Sequence, residues 1–236
     1  MAVHGKGAGV WLAKFDLSGD FTAYNFGFSR QTVDITTMGL DDKVMLAGTR
    51  EGSISVQGVF NSAVDKSDEE IQNIDGVETV ITASPTAAAT IGDRAHMVSG
   101  FLDSYQPRSS ITDAVRFSAG VTASVGAFAG VILQDKAQES GVGNLASVRA
   151  LAQAASANGA VFFIHVTQFN GTDATITIED SSDNSAFGSL VAFTQVTAIT
   201  SEKKTVAGEV LEYARIALTG TFTTITFVVS FSRTLP

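Results

Sequence analysis

The chain has 236 residues, is 44% hydrophobic and 17% charged, and contains no cysteine. This excludes a disordered chain, disulfides, thiolate metal sites and thiol nucleophiles, and it allows one large all-β domain or two ordinary domains. Residues 1–130 carry 9 Lys and Arg against 15 Asp and Glu (−6), and residues 131–236 carry 6 against 9 (−3), so both parts are acidic. Neither part has the basic surface that tight nucleic-acid binding needs.

The first residues, MAVHGKGAGVWLAKF, lack an apolar segment behind their basic residues, so we expect no signal peptide. The glycines of GKGAGV follow no predicted strand, which favours a flexible N-terminus over a phosphate loop. The longest apolar runs, GAFAGVIL and GAVFFIHV, are shorter than the ~18 residues that span a bilayer. We therefore expect no membrane insertion.

Alternating apolar and polar residues predict a series of β-strands in the first part of the chain. The stretches are FTAYNFGFS, QTVDITTM, GSISVQGVF, VETVITAS, AHMVSGFLDSY and AVRFSAGVTAS. In GSISVQGVF, one face holds Ile54, Val56 and Phe60, and the other holds Ser53, Ser55 and Gln57. The stretch before it, residues 36–51, contains glycines and charges and predicts a loop too long for a tight turn.

One helix is predicted among these strands, in KSDEEIQNI. Ser67 can cap its first turn, and Glu70 can reach back to the Ser67 amide, which makes a capping box. Asp68 and Glu69 suit the positive end of the helix dipole.

The composition changes near Gly126. The stretch DKAQESGVGNLASVRALAQAASANG predicts a linker or an irregular strand, and Leu145, Val148, Leu151 and Ala155 would also suit a helix face. Further strands are predicted in AVFFIHVTQF, ATITIED, SLVAFTQVTAI, KTVAGEV, YARIALTG and TTITFVVSFSR, with turn signals such as NGTD and SSDNS between them. We predict a mainly β protein with a boundary at 128/129 and a C-terminal β-sandwich or jelly-roll-like domain.

No catalytic constellation emerges from the sequence. His4, His96 and His165 are far apart and lack zinc-ligand spacing. An acidic stretch predicts a solvated hairpin turn, with a calcium site as the alternative; its residues are Glu179, Asp180, Asp183 and Asn184. We expect no enzyme activity, no cofactor and no metal, and no carboxylate pair for a carbohydrate-active enzyme stands out.

The first-part strands share one property: one apolar face and one uncharged-polar or acidic face. A lone antiparallel sheet of this kind exposes edges that pair with other chains. Head-to-tail contacts between copies can close such sheets into a ring. Barrels of ~16–18 strands already leave an aqueous channel, so a ring-shaped barrel would place the small polar face around a lumen.

The same residues resemble a known family. VDITTMGLDDKVMLAGTREGSISVQGVFN, the helix SDEEIQNI and HMVSGFLDSYQPRSSITDAVRFSAGVTASVG are similar, in order and spacing, to the major tail proteins of siphophages, the tail tube proteins. The resemblance covers about residues 10–125. It implies an N-terminal tail-tube β-sandwich (1–128) with one short helix and a long loop, and hexameric rings stacked into a virion tail tube that conducts DNA during infection.

By position, the resemblance makes Ser53, Ser55 and Gln57 candidate lumen-facing residues. It makes the loop of residues 36–51 the candidate contact between rings, with these members: Thr36, Asp41, Asp42, Lys43, Arg50 and Glu51. The implied partners are further copies of the chain, a tape measure protein, a tail terminator and baseplate or distal tail proteins. DNA would pass through without tight binding, and the protein would be made in the host cytoplasm before it joins the tail.

The second part, 129–236, resembles the β-modules appended to many phage tail and virion proteins, on the residues TITIEDSSDNSAFGSLVAFTQVTA and YARIALTGTFTTITFVVSFSR. This implies an outward decoration domain. Two alternatives stay open: a virion carbohydrate-binding or adhesion protein that uses this sandwich, and a second, diverged tube domain. In the latter case the ring would be a trimer with pseudo-sixfold symmetry.

Overall fold

Thirteen strands and one short helix make up the described part of the chain, so the mainly β prediction is confirmed. The computed structural model describes residues 8–39, 41–87, 90–109, 111, 113–146, 148–149 and 155–233. The expected flexible start (residues 1–7, with His4) lies outside them. The strands are β1 (Ala8–Leu12), β2 (Phe15–Asp16), β3 (Phe21–Asp34), β4 (Met45–Val59), β5 (Thr79–Ala87), β6 (Arg94–Arg108), β7 (Arg116–Glu139), β8 (Gly143–Asn144), β9 (Val148–Arg149), β10 (Ala160–Ser181), β11 (Gly188–Ala192), β12 (Thr200–Val206) and β13 (Tyr213–Arg233), and the helix is α1 (Ser67–Asn73).

The first part of the chain builds a four-stranded antiparallel sheet. β3 pairs with β4, β4 pairs with residues 116–122 of β7, and these pair on their other side with residues 101–108 of β6. Side chains along β4 alternate between buried and exposed, as a period of two requires. Ile54 and Val56 are buried, whereas Ser53, Ser55 and Gln57 are exposed, so the sheet has one apolar face and one polar face.

A second sheet, the central sheet, runs in the order β2–β1–β5–β6–β7–β13–β10–β12. It uses residues 94–100 of β6 and 127–139 of β7, so these two long strands belong to both sheets. The central sheet curls until β10 meets β5, which is four places away in the strand order. The curl encloses a cluster of apolar side chains: Trp11, Val80, Ala95, Met97, Ile132, Val161, Phe163 and Val228.

The outer face of the central sheet is covered twice. The four-stranded sheet and α1 cover its first half, and their shared core includes Val10, Leu12, Ile54, Val56, Ile71 and Ile81. A C-terminal sheet covers its second half; it consists of residues 213–221 of β13, residues 173–181 of β10, β8, β9 and β11. Its core includes Phe162, Ile164, Ile176, Ile216, Phe227 and Phe231.

The long strands approach each other most closely at glycines. A Cβ on Gly100 would lie 1.9 Å from the carbonyl oxygen of Thr122, and a Cβ on Gly130 would lie 1.9 Å from that of Phe231. No side chain fits at such a distance. Gly100 lies where β6 passes from one sheet to the other, and Gly130 lies where β7 begins to pair with β13.

Helix α1 forms where the sequence predicted it, but the predicted capping box is wrong. The N-cap residue is Lys66, and its side chain makes no capping hydrogen bond. Ser67 is fully buried, and its hydroxyl donates to the carbonyl of Val59 at 3.4 Å. Glu69 instead reaches back and accepts a hydrogen bond from the Asp65 N–H at 3.0 Å. Contact with the sheet therefore decides the orientation of Ser67.

Three long strands replace pairs of predicted strands. β3 joins the first two predicted strands, β10 joins the predicted strands on either side of NGTD, and β13 joins the last two. The NGTD residues bend β10 without reversing it, because β13 bends beside them with register shifts and a positive φ at Gly220. The other turn signal, SSDNS, does separate β10 from β11.

Strand β7 runs across the expected boundary at 128/129. In the stretch expected to be a linker, irregular strand or helix, β8 and β9 pair with β13 and Leu145 packs against the C-terminal core. The described residues of this stretch contain short strands and no helix, and Leu151 lies outside the described residues.

Candidate assembly surface

The polar face of the four-stranded sheet carries mostly short, uncharged side chains across all four strands, and Phe101 and Asp103 of β6 are the exceptions in the middle rows. We call it the polar face. In the strand register, Ser53 lies between Gly27 and Thr122, Ser55 between Asn25 and Gly120, and Gln57 between Ala23 and Ser118. Residues of β6 complete the rows, with Phe101 beside Thr122, Ser104 beside Gly120 and Gln106 beside Ser118.

Within the rows from Ser53 to Gln57, one carboxylate lies on this face. Asp103 accepts hydrogen bonds from the hydroxyls of Thr122 and Ser104. It lies across Gly120, where a Cβ would fall 2.3 Å from the carboxylate oxygen. Basic residues of the described rows lie at one end, where Arg108 pairs with Arg116. Arg50 has the parity of Ile54 and lies on the opposite face, 4.1 Å from the centroid of the Phe28 ring. The middle of the face is therefore neutral to acidic.

The four-stranded sheet has two free edges within the described residues. β3 pairs only with β4, and residues 101–108 of β6 pair only with β7. Each edge presents backbone N–H and C=O groups that a further strand can use. Because the four strands alternate in direction, the two edge strands run in opposite directions. A copy placed edge to edge would thus continue the sheet as an antiparallel sheet.

The hairpin of β3 and β4 extends beyond the packed part of the sheet as an arm, residues 28–51. The loop expected over residues 36–51 is shorter than predicted, because β4 begins at Met45 and pairs with Asp34. Thr36, Asp41, Asp42 and Lys43 lie in the turn, whereas Arg50 and Glu51 lie in β4. The described residues of the arm are exposed on both faces. Hydrogen bonds along the hairpin, and not core packing, therefore maintain it.

Apolar side chains on the arm are exposed to solvent. Phe28 is 60% exposed and Leu46 is 57% exposed, and the others are Val33, Ile35, Met38, Val44 and Met45. These residues lie in the predicted strands and the predicted loop, and the sequence pattern does not show that this part of the hairpin extends beyond the core. An exposed apolar set of this extent marks an interaction surface.

Local hydrogen bonds order the turn of the arm. Thr36 donates from its N–H to Asp34 at 2.9 Å, and Val44 donates to the Thr36 hydroxyl at 2.9 Å. Hydrogen bonds from the Thr36 hydroxyl and N–H hold the pKa of the Asp34 carboxyl below its ordinary value. Lys43 lies 3.5 Å from the same carboxylate. Asp41, Asp42 and Lys43 share this turn with Thr36, so part of the predicted contact set is brought together.

The remaining candidates do not form a site. Glu179 pairs with Arg215 at 2.8 Å, Asp180 accepts from the Leu211 N–H, and Asp183 accepts from backbone N–H groups of its own turn. In the part of the chain that is described, no three acidic or histidine side chains are grouped to hold a metal. His96 and His165 belong to different clusters. No described helix is long and apolar enough to cross a membrane.

No protein-family model matches the chain, and no curated protein matches it. Several solved structures are similar in fold. The tail of an empty gene transfer agent particle, with C6 symmetry, is 22% identical with a TM-score of 0.42, over 53% of this chain and 97% of that chain. The SPP1 tail tube is 12% identical with a TM-score of 0.45, over 54% of this chain and 78% of that chain. The SPP1 Dit protein, a hub of the adsorption apparatus, is 11% identical with a TM-score of 0.37, over 98% of this chain and 100% of that chain.

Proposed function

We propose that this chain is a structural protein of a phage tail, which assembles through the free edges of its four-stranded sheet into rings that stack as a DNA-conducting tube. The observation that carries the proposal is the four-stranded sheet itself. It has a neutral polar face, an apolar face packed on the central sheet, and two antiparallel free edges. The sequence resemblance to siphophage tail tube proteins covers the residues that build this sheet.

Ring closure follows from edge pairing. A head-to-tail contact between β3 of one copy and β6 of the next uses different surfaces on each partner, and such contacts close into rings when the rotation permits. Six copies would supply about 24 strands, more than the ~16–18 of barrels that already leave an aqueous channel. The described residues of each chain form one such sheet. This supports a ring of six copies over a trimeric ring, in which each chain would supply two tube sheets.

The polar face would line the channel, with Ser53, Ser55 and Gln57 in its middle rows. Duplex DNA carries one negative charge per ~1.7 Å of its axis. A wall without lysine or arginine in its middle rows, with Asp103 exposed, does not bind that charge. The arm would reach the adjacent ring and cover its exposed apolar residues there. The C-terminal sheet covers the opposite half of the central sheet and would face outwards.

The test is electron microscopy of the purified full-length protein with one lysine placed on each free edge. Asn25→Lys and Ser104→Lys should both prevent rings and tubes, because a charge on a sheet edge opposes pairing with another strand. Ser182→Lys, in the turn between β10 and β11, is the matched control and should assemble like the wild type. Normal tubes from both edge variants would show that the edges do not form the ring. Monomers of the wild type at every concentration would count against the whole proposal.

A further inference from the structure

A cavity opens beside the free edge of β3, between the four-stranded sheet and the central sheet. We call it the edge pocket. It has a volume of about 440 Å³, and its walls include Val10, Ser18, Tyr24, Phe26, Pro85 and His96. That volume lies in the range of ligand pockets, ~300–1,000 Å³. The pocket is therefore too large to be a small packing defect.

The wall of the edge pocket is both ordered and polar. The His96 ring stacks on Phe26 with their centroids 4.5 Å apart and an angle of 3° between the planes. Nδ1 of His96 lies 3.1 Å from the Tyr24 hydroxyl. Arg94 comes two residues earlier in β6 and is exposed, and its charge lowers the pKa of His96 together with burial, which is the larger cause. Arg94 itself makes no ion pair or side-chain hydrogen bond with the described residues.

At the other edge of the same sheet, helix α1 covers the core side of β6, while the backbone edge of β6 stays free. Helix α1 packs there through Ile71 and Ile74, and Asp68 accepts a hydrogen bond from Tyr105 of β6. The helix has acidic residues in its first turn and no basic residue in its last turn. Asp75, just beyond the helix, is exposed and makes no side-chain hydrogen bond or ion pair with the described residues. It lies beside residues of the free edge of β6, with Gln72, Asp103 and Ser104 around the same shallow hollow.

We propose that the edge pocket is a docking site for a second copy of this chain, and that the C-terminal end of α1 in that copy fills the pocket with Asp75 paired to Arg94. The inference rests on the proposed edge-to-edge ring, which brings β6 of one copy beside β3 of the next. α1 lies on the core side of β6, and the edge pocket opens on the core side of β3. The edge pocket beside β3 of one copy would thereby face α1 beside β6 of the next copy.

Charge complementarity selects this occupant. Arg94 lies two residues from His96 of the pocket wall, close enough for its charge to act on that ring, and Asp75 lies at the helix end of the opposite edge. Neither has an ion-pair partner among the described residues. Opposed potentials of this kind fix the register of an interface, and like charges placed together oppose it strongly. Docking would also bury the aromatic wall of the pocket, which is half exposed in the single chain.

A charge-swap series with the full-length protein tests the inference. Ring assembly is followed by sedimentation and electron microscopy, with the thermal unfolding of each variant measured alongside. Asp75→Arg and Arg94→Asp should each raise the concentration needed for half-assembly about tenfold or more, because each places like charges at the interface. The double variant with both changes should return to within a few-fold of the wild type. Glu209→Arg, an exposed acid of the C-terminal half, is the matched control and should behave like the wild type.

The outcomes separate the two proposals. If the wild type forms rings and both single variants assemble like Glu209→Arg, the docking is wrong and the ring proposal stands. Loss of assembly in the single variants without recovery in the double variant would also overturn the Asp75–Arg94 pairing. A wild type that forms no rings would remove the proposed function. Raised salt should reduce the difference between the single variants and the wild type, since screening weakens exposed charges.

Discussion

At the scale of single residues, the fold depends on places where two backbones nearly touch. Gly130 is the clearest case, because any Cβ there would overlap the carbonyl of Phe231. We expect Gly130→Ala to lower the free energy of unfolding by about 1–3 kcal/mol, as overpacking does. Gly141→Ala is the control, since a Cβ on Gly141 meets nothing within 4 Å. Urea denaturation measures both, and equal midpoints would contradict the close approach of β7 and β13.

His165 is a buried polar residue in an apolar cluster. Its Nδ1–H donates to the carbonyl of Ala13 at 2.6 Å, and its Nε2 accepts from the Thr82 hydroxyl at 2.8 Å. The Ser230 hydroxyl lies 3.3 Å from that of Thr82. This chain of hydrogen bonds joins the two ends of the curled central sheet. It satisfies a ring that has no access to water.

Burial lowers the pKa of His165 to about 4, from 6.5 in an unfolded chain. Between these two pH values His165 is protonated in the unfolded chain and neutral in the folded chain. The free energy of unfolding therefore falls as the pH falls. We expect stability to decrease from pH 7 to pH 4 and His165→Gln to remove much of that slope. Urea denaturation across this range tests the prediction, with His96→Gln as a half-buried comparison. An unchanged slope in His165→Gln would contradict it.

At the scale of elements, β4 has two different roles along its length. Its second half alternates between the core and the polar face, and its first half belongs to the arm. On the proposed function, Ser55→Cys should react freely with a bulky maleimide in the dissociated protein and several-fold more slowly in tubes. Ser182→Cys, on the C-terminal half, should react equally in both states. The chain has no native cysteine, so each label reports one position. Equal rates for Ser55→Cys in both states would place the polar face outside the lumen.

The arm permits a separate prediction, because its apolar residues support no core. Val33 and Leu46 lie opposite each other and are both exposed. The double variant Val33→Ser, Leu46→Ser should leave the unfolding temperature nearly unchanged, since exposed substitutions usually cost within about 0.5 kcal/mol. It should form rings but shorter tubes, which electron microscopy measures as a length distribution. Val142→Ser, at a 62% exposed position elsewhere, is the control. Full-length tubes from the double variant would exclude these residues from ring stacking.

Alternation along the chain allowed the strands and the polar side chains of β4 to be predicted, because a period of two depends only on neighbouring residues. The start of β4 could not be predicted, since Gly48 and the charges of Arg50 and Glu51 are typical of loops and only pairing with β3 makes them a strand. Asn170 and Gly171 are likewise typical of a turn, and only the pairing of β10 with β13 makes them part of a continuous strand. The exposure of apolar residues such as Phe28 and Leu46 could not be predicted, because a sequence does not show where packing ends.

At the scale of the whole molecule, the two halves of the chain share one continuous sheet. β7 belongs to both, β13 pairs with it from Val131 onwards along the chain, and the enclosed cluster draws side chains from strands on either side of residue 128. Asp16 of β2 forms an ion pair with Lys136 of β7, which adds a surface contact between the halves. Burial alone would raise the pKa of Asp16, but hydrogen bonds from Lys136 and Ser18 lower it. The expected boundary at 128/129 therefore crosses a strand that both cores need.

This continuity predicts that a chain ending at residue 130 does not fold as a tube domain of its own. It would lose β13 and β10, and it would expose the face that holds Trp11, Met97 and Phe128. Trp11 is the single tryptophan and is 2% exposed, so its fluorescence reports directly on this face. We expect blue-shifted emission and a cooperative thermal transition from the full-length protein. The shortened chain should show emission like that of an indole in water, no cooperative transition, and aggregation through the uncovered apolar surface. A shortened chain that melts cooperatively with a buried Trp11 would contradict this prediction, because it would show that the first half folds without β10 and β13.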